Sequence, residues 1–531
     1  MNLPILTSAQ MRAAEETAFA RGVEVEALMD KAGAGVAQTV TRFFHKPGKC
    51  IVFAGKGNNA GDALVAAECL RRLGWKIEVR LAFQESDCSG LMLKKLQSLR
   101  RRPPEILSAR PSPGGADLGV IFVELMAEAA EELSAAQEAI ASEAFITTAT
   151  PLIILDGLLG LGAKPPLRDP IRAACRCVNR LRTNKGGYVF AVDLPTGLDG
   201  DSGKADRDCI VADFTSTIGF AKPGLVADQA LNFVGRLEVV HLGELRAPEK
   251  KAREVIAAPP ALRELLPRRK FSTYKNQCGR IGIVAGSRGF IGAALMSSRG
   301  ALRAGAGLVE VFVPEDIYEI VAGAAPMESM VRPVKSYRDL VREKNDVWAV
   351  GPGLGKSHAG EILQLIEKAK QPMVVDADAL NILAEKISTL RNCKGERLLT
   401  PHPGEMKRLS PDEKETRAKT ASTFCQRFPV TLLLKGSRTI VAERERPLSY
   451  NTTGNPGMAT GGMGDVLTGV CAGLAGQGLS LYDAARLGAW LCGRAAEIAI
   501  FREGQSEQSV LPRDVLDHLG AAFDELERIP I

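Results

Sequence analysis

At 531 residues the chain is too long for one ordinary domain, and two or three are expected. With 45% hydrophobic and 24% charged residues, and a formal charge of only +6, it reads as a soluble globular protein without a nucleic-acid surface. No apolar run approaches the roughly 18 uncharged residues that would cross a bilayer. Eleven cysteines without CxxC pairing, and no signal segment, place reduced thiols in the cytoplasm.

Thr7-x-x-Gln10 has the pattern of a capping box ahead of a helix from Ser8, with Met11, Ala14, Ala18 and Phe19 at helical spacing. A second helix is predicted over 25–44. Residues 50–54 read as a short buried strand entering Gly55-Lys56-Gly57-Asn58-Asn59-Ala60-Gly61-Asp62, and a small-residue helix to Leu73 follows. That succession opens an α/β sheet. Residues 76–81 form the next strand. Residues 103–150 break the rhythm with proline-rich loops and an alanine-rich acidic stretch at 127–143, read as an inserted loop and an exposed helix. Strands resume at 151–155, ending in Asp156, and at 188–192, ending in Asp193. Each of the loops 57–62, 156–162 and 193–197 could be a plain turn. Together on one sheet they would converge on one crevice. The Asn59 amide oxygen, the Asp156 carboxylate and Thr196 are hard oxygen donors, suited to an alkali or alkaline-earth cation rather than zinc.

A polar and proline-bearing break at 245–260 separates a second half. It restarts with a strand at 280–285, the loop Gly286-Ser287-Arg288-Gly289 and a helix to Ala304, then strands at 308–313, 347–350, 373–376, 397–399, 430–435 and 439–442. This alternation predicts a parallel, doubly wound layer architecture. Gly351-Pro352-Gly353-Leu354-Gly355 exposes backbone after a strand. Thr400-Pro401-His402-Pro403-Gly404-Glu405 presents a histidine on a rigid loop, either structural or against a ligand. Lys435-Gly436-Ser437-Arg438-Thr439 either grips a phosphate or ribose or is a plain hairpin turn. The turn Asn455–Asp465 is the most informative: glycine N–H groups at a helix start hold an anion, and Asp465 at its mouth is placed to take a proton from a hydroxyl being phosphorylated.

The motifs Leu28-Met29-Asp30-Lys31-Ala32-Gly33, 57–62, 156–162 and 193–197, followed by Gly286-Ser287, 301–309, 351–355, 401–405 and 455–465, resemble the bifunctional NAD(P)H-hydrate repair enzymes over nearly the whole chain. The resemblance implies an α/β protein of two domains. Residues 1–245 would be a Rossmann-like three-layer sandwich acting as NAD(P)HX epimerase, with the insertion at about 103–150. Residues 246–531 would be a ribokinase-like three-layer sandwich with a mainly parallel sheet, acting as ADP-dependent NAD(P)HX dehydratase. In the first, Asn58, Asn59, Ala60, Gly61 and Asp62, with Gly160, Leu161, Gly162, Ala163, Lys164, Pro165 and Pro166, would embrace the hydrated dinucleotide. Asp193 would touch it and act as acid/base, with Lys164 as a helper. Asn59, Asp156 and Thr196 would bind K+.

In the second domain Ala294, Gly353, His402 and Asp465 would contact the hydrated cofactor, while Lys435, Gly436, Ser437, Arg438, Thr439 and Gly464 would contact the adenine nucleotide with Mg2+. Asp465 would be catalytic. Partners would be NADHX, NADPHX and ADP, in a cytoplasmic homo-oligomer with no nucleic acid or membrane. Three departures stand out: Ala60 and Ala63 replace glycines of the usual GNNGGDG, Thr196 stands for a commoner serine, and Met463 replaces a threonine or serine. A ribokinase-like small-molecule kinase, or a protein with a degenerate epimerase half, are the alternative readings.

Overall fold

A computed structural model describes residues 2–101, 121–124, 150–248, 252–411 and 415–529. The chain divides into two compact units: Pro4–Lys250, and Lys251–Ile531 together with Met1–Leu3.

The first unit is built on a seven-stranded sheet, parallel throughout, ordered Ile121–Glu124, Lys76–Leu81, Lys49–Ala54, Leu152–Gly157, Tyr188–Val192, Phe214–Ile218, Arg236–Val240. The chain first moves outward from Lys49–Ala54 and then returns to Leu152–Gly157 on its other side. The switch point therefore lies between those two strands, where open sheets bind ligands. The helices Ser8–Ala20 and Val25–Phe43 form as expected, and Thr7 and Gln10 cap the first reciprocally. The helix after the first strand begins at Asn58, so Asn58–Asp62 are its first turn rather than a loop. Three strands escape the sequence pattern. Ile121–Glu124 lies inside the segment read as a loop and helix; the helix expected at 127–143 falls outside the described residues. Phe214–Ile218 carries Thr215, Ser216 and Thr217, all buried, and so lacks an apolar run. Arg236–Val240 completes the edge.

The second unit carries an eleven-stranded sheet. Its switch point separates Arg280–Val284 from Val347–Val350, placing the Gly286 loop beside Gly351–Gly355. Gly286 N–H donates to the Pro352 carbonyl at 2.8 Å. From Glu254–Ile256 to Ser329–Val334 the sheet is parallel except where Ile440–Ala442 pairs antiparallel with Thr431–Leu434 and Leu448–Tyr450. The strands Ser329–Val334, Leu448–Tyr450, Glu254–Ile256 and Leu3–Pro4 were not foreseen.

Helices Ile291–Arg303 and Met463–Gly476 run in the same direction in close contact, with Ser297 beside Asp465 and Ala301 beside Gly473. Glycines make this possible: a Cβ on Gly469 would lie 2.0 Å from the Ser297 carbonyl oxygen, and one on Gly300 would lie 2.6 Å from that of Val466. The two first turns consequently share one end, and so do their positive dipole ends. Among the described residues no helix is long and apolar enough to cross a membrane. All eleven cysteines are free thiols.

Candidate functional site

In the first unit the three glycine-bearing strand ends meet around Asp156. This fully buried carboxylate accepts from the Thr196 hydroxyl at 2.7 Å, the Thr196 N–H at 2.8 Å and the Leu158 N–H at 3.2 Å. Asn59 Nδ2 donates to the Leu159 carbonyl at 3.1 Å, and the Leu159 N–H donates to Thr196 Oγ1 at 3.1 Å. The structure thus gathers Asn59, Asp156 and Thr196 in one place. Burial lifts the Asp156 carboxyl to about 6, with the three hydrogen bonds opposing. No ion pair falls on it among the described residues, and its hydrogen-bond donors are one hydroxyl and two backbone amides. An anion in that setting calls for a cation.

Ala60 and Ala63 are fully buried, and the Ala63 methyl fills space over Gly157. Their extra methyls therefore point into the core, and Ala60 can offer a ligand nothing but backbone. Residues 160–166 form an at least partly exposed loop whose Gly162 lies against the Arg12 guanidinium.

Asp193 ends its strand in a left-handed conformation, φ 64°, which is strained for a residue other than glycine. Its Oδ1 accepts from Lys222, from the Ile218 N–H at 3.1 Å and from the Thr217 hydroxyl at 3.3 Å. Lys222 is fully buried and escaped the sequence reading, because the strand leading to it was missed. Lys164 is exposed and acts electrostatically on Asp199; the lysine at Asp193 is Lys222. Burial raises the Asp62 carboxyl well above the usual range, and the charges of Asp193 and Glu15 add to this. Glu15 is raised by burial and by Asp193, against Lys222 and Arg12.

In the second unit Gly462 (φ 95°) turns the chain into its helix, so Gly464 and Asp465 occupy the first turn. Asp376, almost fully buried, accepts from Lys435 Nζ at 2.8 Å and from the Thr468 hydroxyl at 2.7 Å. A Cβ on Gly464 would lie 3.2 Å from Lys435 Nζ and 3.5 Å from Asp376 Oδ2, which puts the glycine turn directly on this pair. Burial pushes the Asp465 carboxyl up to about 7, Asp376 and Asp378 adding and Lys435 opposing. The Lys435 ammonium is held above its usual range: burial lowers it, but Asp376, Glu405 and Asp465 raise it more.

His402 caps the helix Pro403–Leu409, its Nδ1 accepting from the Gly404 and Glu405 N–H groups at 3.0 and 3.4 Å, and its ring remains half exposed. Gly353 (φ 61°) accepts from the Ser287 hydroxyl at 2.8 Å. Ala294 is fully buried behind Gly286. Residues 435–439 join two antiparallel strands as a hairpin with Gly436 and Ser437 exposed, while Arg438 is buried and its carbonyl accepts from Arg417 at 2.9 Å. Met463 packs partly buried against the core. Sequence reasoning gave no role to Asp376 or Thr468. Asp376 was visible as a strand-end carboxylate, whereas nothing in the pattern marks Thr468.

Fold and site define a protein of two α/β units, each with glycine-bearing strand ends gathered at its sheet's switch point, the second with a carboxylate in the first turn of a helix beside a buried Asp–Lys pair. A family model described as NAD(P)H-hydrate dehydratase matches residues 281–519, and one described as YjeF-related protein N-terminus matches residues 25–224. The bifunctional NAD(P)H-hydrate repair enzyme of Moorella thermoacetica is 34% identical over 94% of this chain and 92% of its own length. That of Escherichia coli is 35% identical over 93% and 89%. A solved ADP/ATP-dependent NAD(P)H-hydrate dehydratase from Bacillus subtilis is 26% identical, covering 51% of this chain and 98% of that one, with a TM-score of 0.46. The chain belongs to the family of bifunctional NAD(P)H-hydrate repair enzymes.

Proposed function

We propose that the unit Pro4–Lys250 interconverts the R and S hydrates of NADH and NADPH, and that the unit Lys251–Ile531 dehydrates the S form with ADP, giving AMP and phosphate. The observation that carries this reading is Asp465 in the first turn of a helix, beside the Gly461–Gly464 N–H groups and the Asp376–Lys435 pair. Hydroxide leaves the nicotinamide ring poorly, and phosphate leaves readily. Asp465 takes the proton of the ring hydroxyl as its oxygen attacks the terminal phosphoryl group, and the turn's N–H groups hold the phosphoryl oxygens. Elimination of phosphate with a neighbouring ring proton then restores the reduced nicotinamide. Gly353 and His402 line the hydrate's side, with Ala294 packed behind Gly286, and residues 435–439 with Gly464 hold the nucleotide.

In the first unit Asp193 acts as the acid/base for epimerisation at the hydrated ring carbon, and residues 58–62 and 160–166 embrace the dinucleotide. K+ fits the all-oxygen set of Asn59, Asp156 and Thr196; when bound it supplies the charge that the buried Asp156 lacks. Mg2+ would arrive with ADP and neutralise phosphate charge, and Asp376, Asp378 and Asp465 gather negative charge around Lys435 there. The free cysteines suit a cytoplasmic protein.

The test is purified S-hydrate with ADP. The expected products are reduced nicotinamide, AMP and free phosphate in equal amounts. A stable phosphorylated dinucleotide would instead assign the second unit to the small-molecule kinases.

A further inference from the structure

We infer that Lys222 is a positioning residue of the epimerase reaction: with its neighbours it fixes Asp193 Oδ1 and leaves Oδ2 as the one oxygen that meets the substrate. The inference rests on the epimerase reading above and adds to it a residue outside every motif that carried that reading. Lys222 Nζ, fully buried, makes three contacts: with Asp193 Oδ1, with the Thr217 hydroxyl at 3.0 Å and with the Ile218 carbonyl at 3.2 Å. Thr217 and the Ile218 N–H also donate to Oδ1. Every hydrogen bond found on the Asp193 carboxylate therefore falls on Oδ1, and none falls on Oδ2 among the described residues. This geometry fixes the rotation of the carboxylate and aims one oxygen away from its supports. A backbone strained at φ 64° is tolerated because these contacts over-determine it.

A structural ion pair would serve equally well with both oxygens engaged. The other charged groups decide between the two roles. Helix Ser8–Ala20 contributes Glu15, flanked by Glu16 and by Arg12, and helix Asn58–Arg72 contributes Asp62. Glu15 and Asp62 both couple unfavourably to Asp193, and burial pushes both toward the neutral acid. Without Lys222, Asp193 would be the third carboxyl of an acidic group with no cation hydrogen-bonded to it. With Lys222 it is the member that faces a buried cation, while burial pushes Asp62 toward the neutral acid. A base and an acid, drawn from one residue type by their partners, then face the hydrated ring carbon together.

The experiment measures R-to-S conversion by the full-length protein against pH for wild type, Lys222→Gln, Lys222→Arg and Thr217→Val. Removal of the charge in Lys222→Gln is expected to move the acid limb of kcat/KM upward by about 1–3 pH units and to lower kcat at neutral pH by about tenfold or more. KM should change little. Lys222→Arg should return the limb to its wild-type position. Thr217→Val is near-isosteric, loosens the lysine and removes one hydroxyl bond to Oδ1 while keeping the cation, so it keeps the test informative if Lys222→Gln does not fold; it should move the limb in the same direction by less. Equal rate losses in all variants with an unmoved acid limb would overturn the positioning role and leave Lys222 as structural. A wild-type protein with no R-to-S conversion would instead overturn the epimerase reading itself.

Discussion

Asp465→Asn separates chemistry from stability in one substitution. Raised from the usual 3.8 to about 7, the Asp465 carboxyl opposes folding when it ionises, chiefly because burial strips its water and secondarily because Asp376 repels it. Three pH units at about 1.4 kcal/mol each give about 4 kcal/mol of strain at full charge. The sign follows from the raised folded-state value. The penalty is absent below about pH 4, where folded and unfolded forms are both protonated. It grows between about pH 4 and 7 and is complete above about 7. Asparagine carries no charge at any of these values, though it still buries a polar amide, so a net gain of about 2–4 kcal/mol is expected at pH 8. In calorimetry of the full chain without ligands, the transition of the unit Lys251–Ile531 should rise by roughly 4–8 °C at pH 8 and hardly move at pH 4. The same variant should lose dehydration of the S-hydrate while the R-to-S conversion continues. Near-normal turnover by the variant would refute the proton-acceptor role, and an unchanged or lower transition at pH 8 would refute the electrostatic argument.

Wild-type kcat/KM for dehydration should rise with pH through an acid limb near 7, because the free enzyme must present Asp465 ionised; a flat profile from pH 5 to 8 would contradict this. Asp193→Ala should stop conversion of the R-hydrate and leave repair of the S-hydrate intact, as read by chromatography of the two epimers. Thr196→Val removes the 2.7 Å hydroxyl bond to Asp156 and should destabilise the first unit by about 1–3 kcal/mol, with K+ no longer raising its melting transition. Gly469→Ala drives a methyl to 2.0 Å from the Ser297 carbonyl oxygen; forcing apart the helices that carry Ala294 and Asp465 should cost about 1–3 kcal/mol or more and slow dehydration, leaving epimerisation alone.

Much of the architecture was legible because the sequence obeys simple periods. Strands such as Tyr188–Val192 and Val347–Val350 are continuous apolar runs bounded by glycine or a carboxylate, and they form where the pattern puts them. The pattern fails where polar residues are buried and satisfied internally. Phe214–Ile218 hides Thr215, whose hydroxyl donates to the Val234 carbonyl at 2.7 Å, so a fully buried strand reads as a polar segment. Losing that strand also lost Lys222, the cation at Asp193. The glycine loops were visible, but their boundaries were not: helix starts at Asn58 and Met463 absorb the residues that looked like turn. That shift sharpens the chemistry, since the first-turn N–H groups are the unsatisfied donors that bind anions. The Asp376–Lys435–Thr468 contacts join residues 59 and 92 positions apart, a proximity that no local signal encodes.

The central claim, that one chain salvages both hydrates, is tested most directly by giving the purified protein epimerically pure R-hydrate with ADP, Mg2+ and K+. Reduced nicotinamide should appear well above the spontaneous rate of epimerisation, with one AMP and one phosphate for each molecule restored. Consumption no faster than spontaneous interconversion, or a phosphorylated dinucleotide that persists, would contradict the account.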